Sequence, residues 1–360
     1  METFCDKDFK DLKEIARGGF GKVYIAYCQD YGEVAIKTIE FESLDDSFER
    51  EMAIVSTLNH PNITRYYGFY NGDKGRSIVM EYAKNGNLYD FLEKCRDEDI
   101  DLPIELRYQI CLGICRGIKS IHKKDIVHRD LKTPNILLNR SMKPLITDFG
   151  QSKRDKRNLT TLNNSHGTYK WKAPETYDGK FTKKSDIFSL GIILWEIITM
   201  EELFKDMTDY QIIDFVKNKD RRPEFPGDFP MFLKNIIMKC WDKNPDNRPD
   251  VSNVLDFIEK IIQNRDVSNE IPFELIANGD IDGFNSMIGS IDVNMRYPDK
   301  VYDGQDMKNA TLLHFAARYG QIKFVQKLIQ LNALVDATDS DILFVFSIGL
   351  LFITQLIRII

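Results

Sequence analysis

The chain has 360 residues, of which 43% are hydrophobic and 29% are charged, and its formal net charge is −6. The composition is typical of a globular protein, and the length is too great for one ordinary core, so we expect two domains. The acidic balance gives no reason to expect a nucleic-acid partner. The first residues lack the basic and apolar regions of a signal peptide.

Six cysteines are spread along the chain without a Cys-x-x-Cys pair. This spacing predicts reduced, mostly buried thiols and a cytoplasmic protein. Cys111 and Cys115 share one turn of a predicted helix. Such a pair suits either a metal ion or a packed core, and core packing is the favoured interpretation.

The first predicted elements are two strands joined by a glycine-rich turn, within residues 12–26. Glycines without Cβ atoms let backbone N–H groups approach phosphates closely, although such a turn alone indicates only a tight hairpin. The next strand, 34–37, alternates so that Ala35 and Lys37 share one face. A small residue beside a long cation suits an adenine with phosphates beyond it.

An amphipathic helix is predicted from Ser43 to Leu58, because Phe48, Met52 and Val55 recur at helical spacing. Glu51 shares this apolar face, whereas Glu49 is rotated toward solvent. We therefore expect Glu51, rather than Glu49, to pair with Lys37. A buried strand at 78–82 and a long core helix at 102–122 follow.

The most informative stretch is the loop within 126–138, which lies between two short apolar runs. Asp130 can accept a proton from a hydroxyl, Lys132 can steady a phosphoryl group, and Asn135 offers an oxygen to Mg²⁺. A base, a cation and a metal ligand so close together favour phosphoryl transfer over a merely charged turn. A further strand ends in Asp148-Phe-Gly, whose carboxylate is a second candidate Mg²⁺ ligand.

Residues 128–135, His-Arg-Asp-Leu-Lys-Thr-Pro-Asn, resemble the catalytic loop of the eukaryotic protein kinase superfamily. Residues 167–175, which end in Ala-Pro-Glu, are similar to the tyrosine kinase-like group. The resemblance implies an α+β bilobal kinase fold over 9–263. Its N-lobe covers about 9–81 and its C-lobe about 84–263, with ATP between them.

The resemblance also implies roles for particular residues. Lys37 and Glu51 would orient the α/β phosphates, Asn135 and Asp148 would hold Mg²⁺, and Asp130 and Lys132 would act on the substrate hydroxyl and the γ-phosphoryl group. The expected nucleotide contacts are Ile15, Ala16, Gly18, Gly19, Phe20, Gly21, Val23, Ala35, Lys37, Met80, Glu81 and Ala83. Ala16 stands where the family has its first loop glycine, and a methyl group is the smallest departure.

Three further expectations come from the resemblance. Asp186 would hold the backbone of the catalytic loop. Arg248 would pair with Glu175 as a buried structural contact. Residues 151–164 form a polar, basic segment, and phosphorylation of Thr160, Thr161 or Ser165 could order this region against Arg129; a plain flexible loop is the alternative.

Beyond a polar linker at 264–271, residues 272–341 contain a weak internal repeat. Gly279 and Gly320 occupy matching places, and their separation exceeds the about 33 residues of an ankyrin repeat. An insertion in the polar stretch 298–308 accounts for the excess. Residues 311–317 resemble the ankyrin signature, with Leu312 replacing proline. We predict a small all-α region of two ankyrin-like repeats that binds a protein partner; an irregular helical tail is the alternative.

The last residues, 342–360, are nearly all apolar and long enough in principle to cross a bilayer. One interpretation is a membrane anchor, which would attach the protein to a membrane. Another is an array whose sequence departs here from its true continuation. A helix packed on the repeats is a third, although it would need a partner to cover its apolar surface.

The favoured function is a protein serine/threonine kinase that uses ATP and Mg²⁺. Lys132 supports this, because tyrosine-specific kinases usually lack lysine at that position. A tyrosine or dual-specificity kinase stays open. The alternative from another class is an inactive scaffold that presents the repeats, which the presence of Lys37, Asp130, Asn135 and Asp148 disfavours.

Overall fold

The computed structural model describes most of the first 263 residues and parts of the remainder. The described ranges are 2–18, 21–38, 51–72, 75–154, 169–227, 229–263, 275–276, 279, 281, 284–285, 293–294, 300–302, 305–307, 311–331 and 333. Several predicted features lie outside them: Gly19, Phe20, residues 43–50 of the predicted helix, Thr160, Thr161, Ser165, the linker 264–271 and the apolar segment 342–360.

The chain divides into two compact units. The first comprises Met1–Gly227 and Ile236–Ile262, and the second comprises Asp228–Asn235 and Gln263–Ile360. The predicted kinase motifs all fall in the first unit.

The first unit begins with a six-stranded sheet in the order β1-β5-β6-β4-β3-β2. Its pairs are antiparallel except for β1 and β5, which run parallel. Aromatic and β-branched residues alternate along these strands, so one face of the sheet is buried. The strands are β1 Glu2–Phe4, β2 Phe9–Gly18, β3 Gly21–Cys28, β4 Gly32–Thr38, β5 Tyr66–Gly72 and β6 Gly75–Glu81.

Strand β1 precedes the predicted start of the N-lobe and was not predicted from the sequence. Phe4 is buried in a core cluster with Tyr24 and Tyr70. Its ring lies 5.5 Å from that of Phe9 and 6.1 Å from that of Tyr31, measured between centroids. The strand therefore extends both the sheet and its aromatic core.

Residues 51–55, here α1, are the described part of the helix predicted over 43–58. The helix ends before Leu58, because the N–H groups of Thr57 and Leu58 bond to carbonyls only three residues back. Met52 and Val55 are buried, as their spacing predicted.

Helices dominate the rest of the first unit. Helix α4 is buried along nearly its whole length, and the other elements pack around it. The helices up to residue 263 are α2 Leu88–Asp97, α3 Ile104–Lys123, α4 Lys183–Thr199, α5 Asp209–Ile213, α6 Met231–Cys240 and α7 Val251–Gln263. The first half of α6 and the last residue of α7 fall in the second unit. The short strands are β7 Ile126–Val127, β8 Ile136–Leu138, β9 Pro144–Ile146 and β10 Lys153–Arg154. A β-sheet lobe and a helical lobe together form the predicted bilobal α+β fold.

Two side-chain predictions are confirmed here. Arg248 is 1% exposed and pairs with Glu175 through two bonds, Nη1 to Oε1 at 2.6 Å and Nη2 to Oε2 at 2.8 Å. All six cysteines are free thiols, and every one except Cys5 is buried. Core packing therefore accounts for Cys111 and Cys115.

The second unit contains a β-hairpin and a helix pair. The hairpin strands β11 Lys300–Tyr302 and β12 Gln305–Met307 lie within the predicted insertion. Helices α8 Leu312–Arg318 and α9 Ile322–Gln330 bury an apolar cluster that includes Phe284, Phe315 and Phe324. Among the described residues, no helix has the length and apolar character needed to cross a membrane.

Candidate functional site

The loop between β7 and β8 is fixed by one buried carboxylate from α4. Asp186 accepts hydrogen bonds from the backbone N–H of His128 at 2.9 Å and of Arg129 at 3.0 Å. Its Oδ2 also lies 2.9 Å from Nε2 of His122. The prediction that Asp186 holds this loop is confirmed.

Two loop residues adopt left-handed backbone conformations that are unusual for residues other than glycine. Arg129 has a φ of 72°, and Asp148 has a φ of 62°. Such conformations cost on the order of 1–3 kcal/mol each and persist only where their surroundings hold them. The bonds from Asp186 supply that support at Arg129, and they set the direction in which the next side chain, Asp130, projects.

His128 links the two strained positions. Its Nδ1 accepts from the N–H of Asp130 at 3.3 Å, and its Nε2 lies 3.1 Å from the carbonyl oxygen of Thr147. These partners assign the proton to Nε2, because only a protonated nitrogen can donate to a carbonyl. The ring thereby holds the backbone of Asp130 beside the residue that precedes Asp148.

Asp130 is buried, and its two carboxylate oxygens have different surroundings. Oδ2 is 2.9 Å from Nζ of Lys132 and accepts from Nδ2 of Asn135 at 2.9 Å. Oδ1 has no hydrogen-bond partner among the described residues. A buried oxygen without a donor is costly, so this atom still requires a hydrogen-bond donor that the described residues do not supply.

Lys37 and Asp148 form an ion pair across the two lobes, with Nζ and Oδ1 3.2 Å apart. Burial lowers the pKa of Lys37, but attraction by Asp148 and Glu51 outweighs it, so the pKa is raised. Burial raises the pKa of Asp148, but the charge and hydrogen bond of Lys37 outweigh it, so the pKa is lowered. Both shifts favour the charged forms.

Glu51 lies on the buried side of α1 and interacts electrostatically with Lys37. Burial raises the pKa of Glu51. The charge of Lys37 and a backbone hydrogen bond from Phe149 act to lower this pKa, but burial outweighs them. The structure thus brings Lys37, Glu51 and Asp148 together from β4, α1 and the segment after β9. Asp130 also contributes to raising the pKa of Lys37, after Asp148 and Glu51.

The buried side chain of Phe149 restricts the position of the preceding residue, Asp148. Its side chain is fully buried, with its ring centroid 5.0 Å from that of His128 and 6.4 Å from that of Tyr66. An aromatic ring fixed on two sides restricts the residue before it, which helps to keep the Asp148 carboxylate directed at Lys37.

The described residues among the expected nucleotide contacts fall on strands β2, β3, β4 and β6 and, for Ala83, just after β6. Ile15 is an exposed apolar residue at a register shift between β2 and β3. Gly21 has a φ of 121°, and any Cβ there would collide with the carbonyl oxygen of Thr38. Gly21 is therefore required by the close approach of the Thr38 backbone, a reason that differs from the predicted approach of a phosphate.

In the middle of the sheet, Ala35 and Met80 face each other in the β4–β6 register and both are buried. The N–H of Glu81 donates to the carbonyl of Arg65 at 2.8 Å. This bond removes the N–H of Glu81 from the groups that a nucleotide could use. Its carbonyl oxygen and the backbone of Ala83 are the remaining candidates among those expected.

The donor set fits a magnesium ion that arrives with a nucleotide. Asn135 donates through Nδ2, which leaves its Oδ1 as the metal-binding atom, and Asp148 supplies a carboxylate. Among the described residues, there is no group of three or more His, Cys, Asp and Glu side chains that could hold a metal. Mg²⁺ characteristically uses one or two carboxylates together with substrate phosphates.

Sequence reasoning missed the role of Glu196. Its Oε2 accepts from Nε1 of Trp171 at 2.6 Å and from Oγ1 of Thr133 at 3.4 Å. Burial raises the pKa of Glu196 to about 7, although the Trp171 bond and the charge of Arg96 act to lower it. The available signal was a second carboxylate, besides Asp186, in an otherwise apolar helix, because a buried carboxylate requires partners.

Comparisons with known proteins agree with this geometry. The profile of the family described as protein tyrosine and serine/threonine kinase matches residues 9–258. The chain is 34% identical over 256 residues to the serine/threonine/tyrosine-protein kinase HT1 of Arabidopsis thaliana, covering 69% of this chain and 65% of that protein.

Two relatives come from Dictyostelium discoideum. The RGS domain-containing serine/threonine-protein kinase A is 37% identical over 256 residues, which cover 69% of this chain and 22% of the relative. The dual specificity protein kinase shkA is 34% identical over 255 residues, which cover 68% of this chain and 48% of the relative. In each case the match spans less than two thirds of the relative's own length. The chain belongs to the family of protein tyrosine and serine/threonine kinases.

Proposed function

We propose that this chain is an active protein kinase that transfers the γ-phosphoryl group of ATP to serine or threonine hydroxyls of protein substrates. The observation that carries the proposal is the asymmetric environment of Asp130. Lys132 and Asn135 hold Oδ2, while Oδ1 lacks a partner among the described residues. A base held in this way can accept a hydroxyl proton without first reorganising.

Lys132 serves a second purpose in this proposal. Its ammonium lies 2.9 Å from Asp130, so it is next to the hydroxyl that Asp130 would deprotonate. A cation at that point stabilises negative charge on the phosphoryl group as it moves from donor to acceptor. One residue then orients the base and neutralises the transferred group.

Lys37, Glu51, Asn135 and Asp148 would form the phosphate-binding side of the site. Lys37 would bind the α/β phosphates, and Glu51 would keep the Lys37 ammonium in position while the phosphates bind it. Asn135 Oδ1 and Asp148 would bind Mg²⁺, which neutralises phosphate charge when present. Ile15, Ala16, Val23, Ala35 and Met80 would enclose the adenine, with Gly18 and Gly21 near the phosphates.

Serine/threonine specificity is favoured by Lys132, although two of the relatives carry names that include tyrosine or dual specificity. A tyrosine-directed or dual-specificity kinase is therefore the second candidate. Phosphoamino-acid analysis of the labelled product separates them: phosphoserine and phosphothreonine support the proposal, and phosphotyrosine alone contradicts it.

Phosphate transfer from Mg-ATP to a general protein substrate tests the activity itself. Wild type is compared with Asp148→Ala, which removes the second Mg²⁺ ligand, and with Asp125→Asn, an exposed aspartate that pairs with Lys183. We expect Asp148→Ala to lose transfer and Asp125→Asn to keep it. Transfer by wild type no faster than by Asp148→Ala would favour an inactive scaffold.

We also propose that residues 272–341 form two ankyrin-like repeats that bind a protein partner. Gly279 and Gly320, the glycines at matching places, have φ values of 69° and 63°. His314 caps α8 by contacting Thr311, with Oγ1 and Nδ1 2.7 Å apart. Limited proteolysis should cut within 264–271 and leave two resistant fragments; cleavage throughout 272–341 would contradict a folded repeat region.

A further inference from the structure

The hydroxyl of Thr38 continues the pairing of strands β3 and β4 beyond the end of their backbone register. That register ends at the Val23–Lys37 pair. At the next position, Oγ1 of Thr38 accepts from the backbone N–H of Lys22 at 3.0 Å and donates to the carbonyl oxygen of Lys22 at 3.1 Å. A hydroxyl is both a donor and an acceptor, so one side chain here joins the two strands through two bonds.

The backbone of Thr38 also lies against the residue that ends the glycine-rich turn. Gly21 has no Cβ, and a Cβ at that position would collide with the carbonyl oxygen of Thr38. Only glycine permits so close an approach. Thr38 is 5% exposed and pairs on its other side with Ser77 of β6. A shift of Thr38 away from Gly21 would therefore disturb both β4 and β6.

These contacts join the end of the glycine-rich turn to the strand that carries Lys37. Gly21 and Lys22 are the first residues of β3, and Thr38 directly follows Lys37 as the last residue of β4. The turn and the Lys37 ammonium are the two groups that the proposed function assigns to the phosphates from this part of the sheet. Thr38 therefore determines how far apart their backbones lie.

Strand alternation directs Thr38 itself away from a nucleotide. Successive side chains of a strand point to opposite faces. Ala35 and Lys37 share the face on which the nucleotide is expected, whereas Thr38 shares the other face with Ile36, which is 1% exposed. Thr38 acts through the backbone of Lys22 and not by contact with ATP, so any effect on ATP is one of positioning.

A second threonine has the same chemistry away from the site. Oγ1 of Thr199 donates to the carbonyl oxygen of Trp195 at 2.7 Å and accepts from the N–H of Glu201 at 3.1 Å. Both bonds lie at the end of α4, between residues that are close in sequence. Thr199 thus makes two backbone bonds, as Thr38 does, but it joins no strands. It is a matched control for the loss of a threonine hydroxyl.

We propose that Thr38 is a positioning residue for the phosphates of Mg-ATP, because it holds the glycine-rich turn at a fixed separation from Lys37. The inference rests on the proposed kinase function and adds a residue to the phosphate-binding side of that site. Without the hydroxyl, the N–H and carbonyl of Lys22 lose this partner, and the backbone pairing of β3 with β4 ends at Val23. A turn with that freedom must be ordered whenever phosphates bind, which costs affinity.

The test measures the dissociation constants of Mg-ATP and of adenosine for the full chain by isothermal titration calorimetry. Thr38→Val keeps the branched shape of the side chain and removes both bonds. We expect Thr38→Val to bind Mg-ATP about tenfold more weakly than wild type, the effect of about one hydrogen bond. Adenosine has no phosphates, so its dissociation constant should stay near that of wild type. Thr38→Ser keeps the hydroxyl and should bind Mg-ATP as wild type does.

Thr199→Val should leave both dissociation constants unchanged. If Thr38→Val fails to fold, Thr38→Ala removes the same hydroxyl and carries the same prediction. A Thr38 variant without the hydroxyl that binds Mg-ATP as tightly as wild type overturns the inference. Equal weakening of adenosine and Mg-ATP also overturns it, because a general disturbance of the sheet would not distinguish a ligand with phosphates from one without them.

The outcomes also separate the two proposals, because binding of Mg-ATP does not require phosphoryl transfer. If wild type binds Mg-ATP but transfers no phosphate to any protein, the kinase proposal fails and the Thr38 variants still decide the inference. If wild type binds no Mg-ATP, both proposals fail.

Discussion

Helix α4 carries a buried carboxylate near each of its ends, and the two carboxylates have different hydrogen-bond donors. Near the first end, Asp186 meets two backbone N–H groups and His122. Near the last end, Glu196 meets two side-chain donors, both at Oε2. Backbone donors form part of the loop itself, whereas side-chain donors can be replaced without moving the chain.

Because their donors differ, the two carboxylates of α4 have different structural roles. Asp186 fixes the backbone of the catalytic loop, including the strained Arg129. Glu196 joins the side chains of Thr133 and Trp171, and so connects the loop after β7 to the segment at 169–171. The first carboxylate fixes the backbone of one loop, and the second links two separate segments.

The largest effect is expected for Asp186→Ala. The N–H groups of His128 and Arg129 would lose their acceptor in a buried site, and the left-handed conformation of Arg129 would lose its support. We expect about 3 kcal/mol or more of lost stability and a fall in transfer rate of about 100-fold or more.

Thermal unfolding and a transfer assay measure this effect. Asp186→Asn keeps one acceptor oxygen and should fall between Ala and wild type in both measurements. Equal stability of Asp186→Ala and wild type would show that the loop is held by other contacts.

A pH-dependent effect on stability, without the loss of activity expected for Asp186→Ala, is expected at Glu196. The pKa of this carboxyl is about 7 in the folded chain against 4.5 as its ordinary value. Between those values the folded state binds more protons than the unfolded state, so stability falls as pH rises from about 4.5 to 7. The loss is on the order of 3 kcal/mol and is complete above that range.

Glu196→Gln should remove this slope, because glutamine can still accept from Trp171 and does not titrate. Urea unfolding at several pH values between 5 and 8 compares the two proteins. Arg96 and Lys170, which also act on Glu196, are unchanged in both. Identical slopes would mean that Glu196 does not gain a proton on folding in this range.

The smallest effect is expected for Thr133→Ala, which removes the longer of the two bonds to Glu196, at 3.4 Å. We expect a loss of about 1 kcal/mol. Thr133→Ser keeps the hydroxyl and should lose less. Chemical denaturation measures the free energy of unfolding of both variants. If Thr133→Ala loses as much stability as Asp186→Ala, the two carboxylates of α4 do not differ in the way described.

The sequence predicted the structural role of Asp186 but not that of Glu196. A motif lists residues of one loop, and Asp186 belongs to the pattern of the family. Glu196 was visible only as an exception in an apolar helix, and its partners Trp171 and Thr133 are far away in sequence. Which buried donor meets a lone carboxylate depends on tertiary packing, and a single sequence does not contain that information directly.

The same limit applies to the start of the fold. Residues 2–4 form a very short strand among charged residues, and the strand pairs with β5 at residues 68–70. Neither its length nor its composition marks it as part of a sheet. The burial of Phe4 against other aromatic rings stabilises it, and those contacts are long-range.

In the second unit, the internal repeat and its resemblance to ankyrin repeats predicted an all-α region. Helices α8 and α9 agree with that prediction, but it is wrong at the polar insertion, which contains the hairpin β11–β12. Short polar strands are stabilised by pairing rather than by burial of an apolar face, so periodicity does not detect them.

The central claim is that Oδ1 of Asp130 accepts the proton of a substrate hydroxyl. The most direct measurement is the single-turnover rate of phosphoryl transfer from Mg-ATP for wild type, Asp130→Asn and Asp125→Asn. Loss of a general base costs about 100-fold or more, so we predict that decrease for Asp130→Asn and a rate near wild type for Asp125→Asn. Equal single-turnover rates for wild type and Asp130→Asn would contradict the claim.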